Sequence, residues 1–298
     1  MDQLQYLPVR AALAAMGRLP RRPARRLGIG IAYLFYYLHR RLVRVGRTNL
    51  ELAFPALSGR EREHILRGVY RNLGRQMAEF CLFPRYRREQ LPQVLAIEGL
   101  EHYLAALQRG RGVLFLTAHL GAWELSSFGM SLAGYPMSFI IRPLDNQPLN
   151  ALVERIRGLH GNTGIGKHEF ARGLLQAMQA NRTVGILMDQ NSAPPQGVFV
   201  PFFGHLACTA TGPARIALKT GAAVVPAFAV WEQAQQKYVL YFEPALELEN
   251  TGDEKQDVLR ATAQFTAVIE RWVRRYPDQW LWVHRRWKTR PAGEAPIY

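Results

Sequence analysis

The sequence predicts an α/β fold: a mixed, largely parallel sheet flanked by helices, preceded by an N-terminal helical segment that associates with a membrane. Three observations lead there. From about residue 91, short apolar runs of strand length alternate with stretches of helical periodicity. Residues 1–90 carry helical patterning only. The charge is also divided between these two parts. Of the +15 carried by 298 residues, +12 lies in the first 90, which hold 18 Arg, no Lys and six acids.

In the first region, residues 1–19 lack the clean apolar core of a secretory signal, because Arg10 interrupts them. The strongest apolar run is Leu27 to Leu38, 12 residues. As a helix it reaches about 18 Å against a hydrocarbon core of about 30 Å, too short to cross comfortably. Arg21, Arg22, Arg25 and Arg26 precede it; Arg40, Arg41, Arg44 and Arg47 follow it. Two readings stand side by side: a buried helix with solvated ends, or an interfacial helix whose arginines reach lipid phosphates. Arginine on both flanks gives no one-sided bias, which favours lying on a membrane over crossing it. Ser58 and Glu61 have capping-box spacing and open a periodic stretch through Ile65, Val69, Leu73, Met77 and Phe80. Pro84 and the basic residues 85–88 close it. The regions 1–90 and 91–298 are read as one structural unit, a basic membrane-associating part and a catalytic part.

In the second region, residues 113–117 form a buried-strand run, with a helix expected over 121–133. Residues 139–141 are a second strand, followed by a helix around 147–160. Residues 168–181 look helical, and 184–188 are a third strand. A helix over 210–220 leads to a fourth strand, 222–230, and a fifth, 239–242. A long helix covers 253–275.

With 48% hydrophobic and 20% charged residues, a packed core is attainable and the composition argues against wholesale disorder. The two cysteines, Cys81 and Cys208, form no CxxC or Cys/His cluster, which excludes a zinc ribbon and argues against a disulfide framework. A reducing cytoplasm fits. The positive charge points to a polyanionic partner. No helix-turn-helix, RNP or zinc pattern supports nucleic acid, so a basic nucleic-acid-binding protein is the weaker alternative.

The chemistry concentrates at Thr117–Glu124. A His ends a buried strand, Gly121 permits a turn, and a carboxylate lies five positions after the His. If His119 sits in the strand-to-helix turn, Glu124 on the first helical turns can reach back to it. A carboxylate accepting one imidazole N–H fixes the tautomer and makes the other nitrogen a base. Open α/β sheets bind ligands beyond the carboxyl ends of their strands, which fits this location. Asp189 follows another apolar strand and reaches the same rim if the strands are parallel; a loop-capping Asp is the equal alternative. Arg142 also follows a strand and can aim its fork at a phosphate or carboxylate. Arg155 and Arg157 belong to a solvated helix unless that helix faces the site. Gly161–His168 fits GxxxxGK but has His where a P-loop needs Ser or Thr, and a helix where a strand must precede it. Gly129–Ala133 approximates a nucleophile elbow inside an expected helix, without its final Gly. No HExxH occurs and no second His lies at ligand spacing from His119, so no metal site is inferred.

Taken together, Thr117–Glu124, Ile140–Asn146, the helix ending at Arg155–Gly158, Ile186–Asn191, Phe199–Gly204, Thr209–Ala217 and Trp280–Lys288 resemble the bacterial lipid A biosynthesis late acyltransferases. These lauroyl and myristoyl transferases belong to the wider HxxxxD/E glycerolphosphate acyltransferase superfamily. The resemblance covers essentially the whole chain. It implies a glycerolphosphate acyltransferase-like catalytic fold, with His119 as base and Glu124 as its partner. Arg157 and Asp189, and also Arg142, are implied as substrate-binding residues. It further implies an acyl carrier protein thioester as donor, a hydroxyl of a phosphorylated disaccharide lipid as acceptor, and no metal or other cofactor. The expected place is the cytoplasmic face of the bacterial inner membrane, peripheral or N-terminally anchored. Acceptors among other membrane glycolipids or phospholipids are the alternative within this chemistry. Phe115, Trp123, Phe128 and Met130 are candidate walls of an acyl pocket, and the N–H groups of residues 121–124, or an Arg, are candidate oxyanion donors.

Overall fold

The computed structural model describes residues 2–141, 143–166 and 170–298. The N-terminal region is helical as expected: α1 (Asp2–Arg18), α2 (Arg21–Leu38), α3 (Arg40–Ala53) and α4 (Gly59–Leu82). The Ser58 capping box forms: the Glu61 N–H donates to Ser58 Oγ at 3.3 Å, and the Ser58 N–H to Glu61 Oε2 at 2.7 Å. The inner face of α2 is made of small residues, Ala24, Gly28 and Ala32, before Tyr36. It meets α4 backbone to backbone. A Cβ on Gly28 would lie 2.2 Å from the Gly74 carbonyl oxygen, and one on Gly74 2.6 Å from that of Gly28. Only glycine at both positions permits this approach. The large apolar residues of α2 therefore point the other way. Among the described residues no helix is long and apolar enough to cross a membrane.

The rest of the chain alternates strands and helices. In order come α5 (Leu91–Val94), β1 (Leu95–Glu98), α6 (Leu100–Leu107), β2 (Val113–Thr117), α7 (Trp123–Leu132), β3 (Ser138–Ile141) and α8 (Gln147–Arg157). Next are β4 (Thr163–Gly166), α9 (Phe170–Gln179), β5 (Thr183–Leu187), β6 (Gly197–Phe202) and β7 (His205–Ala210). The last are α10 (Gly212–Thr220), β8 (Ala223–Glu232), β9 (Lys237–Phe242) and α11 (Glu254–Arg275). Among these residues a seven-stranded sheet runs β1-β9-β8-β2-β5-β3-β4, and β6–β7 form a separate hairpin. Strands β8, β2, β5, β3 and β4 are mutually parallel; β9 is antiparallel to β8 and parallel to β1.

The expected strands all form. Strands β1 and β4, helices α5 and α6, and the β6–β7 hairpin were not anticipated. Strands β1 and β4 are edge strands of four residues, and β4 holds two glycines, so neither has a distinctive apolar run. Helix α6 is eight residues long, little more than two turns. In the hairpin, Pro201 interrupts the strand pattern. Its turn uses Phe203 and Gly204 at positive φ. The helix expected over 168–181 is described from Phe170 to Gln179, its start lying outside the described residues.

Alternation along β2 divides the core. Leu114 and Leu116 pack with α9, α10 and α11; Val113 and Phe115 pack with α6, α7 and α8. The sheet is thus the middle of three layers. The N-terminal helices share the first of these cores: Tyr36, Val43, Leu50 and Tyr70 belong to the same cluster as Trp272 and Trp282.

Candidate active site

Strands β2 and β5 are adjacent and parallel, with Thr117 opposite Leu187. His119 and Asp189 each lie two residues beyond that pair, so both emerge at the same carboxyl edge. Gly121 follows at φ +64, where a Cβ would collide with the Ala229 carbonyl at 1.9 Å. That turn redirects the chain into α7, which begins at Trp123.

Asp189 is the carboxylate that meets the imidazole. Its Oδ1 accepts from His119 Nδ1 at 2.8 Å, and its Oδ2 accepts from the His119 main-chain N–H at 2.9 Å. The Trp280 indole donates to the same Oδ2 at 2.7 Å. Burial alone would raise this carboxyl group. The His119 charge and these hydrogen bonds outweigh it and hold the group below its ordinary value. An ionised carboxylate only accepts, so Nδ1 carries the proton and Nε2 keeps its lone pair. Gln190 Nε2 lies 3.3 Å from that nitrogen and donates to it. The Trp123 ring meets the imidazole edge-to-face at 5.1 Å.

The expected pairing of His119 with Glu124 does not form. Glu124 faces Arg157, whose Nε donates to Oε2 at 2.9 Å while Nη2 donates to Oε1. The guanidinium fork at the end of α8 matches the carboxylate bidentately and occupies both its oxygens. A partly exposed pair of this kind adds about 1 kcal/mol or less to stability, so its effect is to orient Arg157. Helix α8 does face the site through Arg157, while Arg155 is exposed. Arg142 lies outside the described residues, as do Lys167 and His168 of the GxxxxGK stretch. Within that stretch, Thr163–Gly166 is the edge strand β4. Ser131 is buried inside α7 with its hydroxyl donating to the Phe128 and Leu159 carbonyls, so no nucleophile elbow exists there.

His119, Glu124 and Arg157 border a cleft of about 240 Å³ on one face of β2, β5 and β3. Its apolar walls include Phe115, Trp123, Met137, Phe139 and Leu187, and Gly185 leaves room between them. Phe115 and Trp123 were expected there. Phe128 and Met130 are not part of it: Phe128 stacks on Phe83 at 4.1 Å, and Met130 is fully buried in the core. Two of the expected oxyanion donors are also committed elsewhere. The Gly121 N–H donates to the Gln279 carbonyl at 3.0 Å, and the Ala122 N–H to that of Ala229 at 2.7 Å. Trp123 and Glu124 stand in the first turn of α7, where N–H groups lack intrahelical acceptors. Among the described residues no three His, Cys, Asp or Glu side chains converge on a metal-sized site.

The arrangement is a carboxylate–imidazole pair on the wall of an apolar cleft, its basic nitrogen capped by the Gln190 amide and a guanidinium at the cleft edge. It suits proton removal from a hydroxyl beside a long apolar group. Sequence reasoning singled out His119, Arg157 and Asp189 but missed Trp280 and Gln190 as their partners. Both lay within the segments carrying the resemblance, without a spacing that tied them to His119.

The profile of the family described as bacterial lipid A biosynthesis acyltransferase matches residues 3–289. A lipid A biosynthesis palmitoleoyltransferase of Escherichia coli K12 is 31% identical over 255 residues, covering 85% of this chain and 81% of the relative. A lauroyltransferase of the same organism is 28% identical over 279 residues, 92% and 88% of the two chains. A myristoyltransferase is 23% identical over 250 residues, 84% and 76%.

Proposed function

The chain belongs to the bacterial lipid A biosynthesis acyltransferase family, and on that premise we propose that it transfers a fatty acyl group from an acyl carrier protein thioester to a hydroxyl of a lipid A precursor. The observation that carries the reading is the Asp189–His119 pair on the wall of the apolar cleft, where an acceptor hydroxyl would take the place of the Gln190 amide at Nε2.

In this reading His119 Nε2 takes the proton of the acceptor hydroxyl as its oxygen attacks the thioester carbonyl carbon. A hydroxyl is a poor nucleophile at neutral pH, so a positioned base is required. Asp189 stabilises the imidazolium that forms. The tetrahedral oxyanion is met by the N–H groups of Trp123 and Glu124, at the positive end of α7. Collapse breaks the C–S bond, and His119 returns the proton to the departing thiolate. Arg157, held by Glu124, takes an anionic group of the acceptor. The acyl chain lies along Phe115, Met137, Gly185 and Leu187.

The enzyme works at the cytoplasmic face of the inner membrane and docks through α2 and α3. Leu27, Leu34, Phe35, Tyr37, Leu38 and Leu42 are 45–67% exposed, while the inward face of α2 holds small residues. Arg40, Arg41 and Arg44 are exposed beside them. Large apolar residues outward and small ones inward suit an interfacial helix, with arginines at the phosphate level.

The test is transfer of a radiolabelled acyl group from carrier protein to a lipid A precursor. His119→Ala abolishes transfer, and Asp189→Asn lowers kcat by about 10²-fold or more, the scale of general-base catalysis. Turnover near wild type in His119→Ala would remove the base assignment.

A further inference from the structure

We propose that residues 279–289 form a strap that positions both halves of the His119–Asp189 pair, with Trp280 and Arg286 as its positioning residues. The proposal rests on the reading of His119 as the base.

The strap engages both loops of the pair. Leu120 and Trp280 form an antiparallel bridge. The Leu281 N–H donates to the His119 carbonyl at 3.0 Å, and the Gly121 N–H to the Gln279 carbonyl at 3.0 Å. The backbone carrying the imidazole is thereby tied on both sides. The loop carrying the carboxylate is tied residue by residue. Trp280 Nε1 donates to Asp189 Oδ2 at 2.7 Å, and Arg286 Nη1 to the Gln190 carbonyl at 3.3 Å. The Asn191 N–H donates to His284 Nε2 at 3.0 Å. Asn191 and Thr289 exchange two hydrogen bonds, at 2.9 and 3.0 Å. Rotation of the Asp189 carboxylate would break the indole bond and the imidazole bond together.

Arg286 adds charge to this geometry. It is fully buried, and its hydrogen bonds go to neutral oxygens: Gln190 and Cys208 carbonyls and the Thr209 hydroxyl, the last at 2.5 Å. Its guanidinium also lies over the Phe202 ring at 5.2 Å. A buried cation is normally paired with an anion. Among the described residues Arg286 has no carboxylate in hydrogen-bond contact, and the carboxylate it feels is Asp189. Burial pushes the guanidinium down to about 10, and it remains charged at neutral pH. Asp189 is also buried, and when His119 is neutral its charge has no other full counter-charge in contact. Arg286 supplies it through space. A positive potential here favours the ionised carboxylate and the neutral imidazole.

The strap is itself anchored to the N-terminal region. Asn49 of α3 donates to the Trp282 carbonyl at 2.6 Å and the His284 carbonyl at 2.7 Å, and accepts from the Tyr298 hydroxyl.

The charged and titratable groups around His119 are Asp189 from the β5 end, the Glu124–Arg157 pair from α7 and α8, and His284, Arg286 and Lys288 from the strap. Trp280→Phe and Arg286→Met leave the first two sets in place and remove a donor or a positive charge facing Asp189. Both changes make the carboxylate a stronger partner for a protonated imidazole. We expect the His119 titration, followed by ¹⁵N-histidine NMR and assigned by its loss in His119→Gln, to move upward by about one pH unit in each variant. The acidic limb of the kcat/KM profile moves with it. In Trp280→Phe, kcat falls by at least about tenfold with KM within about twofold, as expected for lost orientation. Arg286→Lys, which keeps the charge, restores the wild-type titration. If Arg286→Met does not fold, Trp280→Phe decides alone. An unmoved His119 titration and acidic limb in Trp280→Phe overturn the proposal. The NMR titration needs no turnover, so it separates failure of the strap from failure of the base assignment.

Discussion

Gly185 is the one position on the cleft face of β5 without a side chain. A Cβ there would lie 3.7 Å from Met137 Sδ and 3.8 Å from the Ser138 carbonyl, an ordinary contact. A larger residue is therefore tolerated by the fold but takes cleft volume. Gly185→Val is expected to shift preference toward shorter acyl chains by about tenfold, since one methylene in an apolar pocket is a discrimination of that order. Competition between carrier-protein thioesters of different length measures it, and an unchanged product distribution would count against the cleft as the acyl site. At this scale the sequence was partly legible. A strand-end His and a strand-end Asp were both visible. Their mutual bond was not, because 70 residues separate them and only the adjacency of β2 and β5 joins them. Glu124 looked the better partner because it is near in sequence, but the structure sets it against Arg157 instead.

Among the elements, α2 combines two faces that a soluble helix rarely combines. Its Ala24–Gly28–Ala32 stripe packs against α4, and its bulky apolar residues face outward. Moving one large apolar side chain from water into an apolar phase is worth about 1.5–3 kcal/mol. Replacing Leu34, Phe35 and Leu38 together by Ser is therefore expected to weaken sedimentation with anionic vesicles by at least about 10²-fold, with little effect on folding because these residues are already exposed. Undiminished sedimentation would argue against docking through this face. The sequence displayed the apolar run and its flanking arginines but not which residues pointed inward. That depended on the glycine contact with α4. Long, strongly patterned elements were read within a few residues, as with α4, α7 and α11. The edge strands β1 and β4 and an irregular hairpin escaped because none of them carries a distinctive apolar run.

Across the whole molecule, the C-terminal segment joins the N-terminal helices to the site, and it includes a half-buried histidine, His284. Desolvation, reinforced by His119, Arg286 and Lys288 and opposed by Asp189, lowers His284 to about 4 from 6.5. Between those values the unfolded chain binds a proton here that the folded chain refuses. The linked stability is thus fully present above pH 6.5 and is lost as pH falls toward 4, by up to about 3 kcal/mol. Thermal unfolding from pH 7.5 to pH 5 is expected to show a falling Tm, and His284→Gln, which can still accept the Asn191 N–H, a flatter profile. Parallel profiles would mean that His284 does not carry the effect.

By itself the sequence determined the composition of the core, the order of the main strands and helices, the concentration of positive charge in the first 90 residues, and the residue types available at the strand ends. These follow from local periodicity and side-chain chemistry. Only the tertiary structure decided that Asp189, not Glu124, holds the imidazole, that Arg157 turns inward, and that Trp280 and Arg286 stand behind the carboxylate. Those outcomes depend on which strands become neighbours and where the C-terminal segment packs. Hydrogen bonding between strands is nearly indifferent to sequence, so the order β8-β2-β5-β3 is set by the burial of whole faces and not by any short motif.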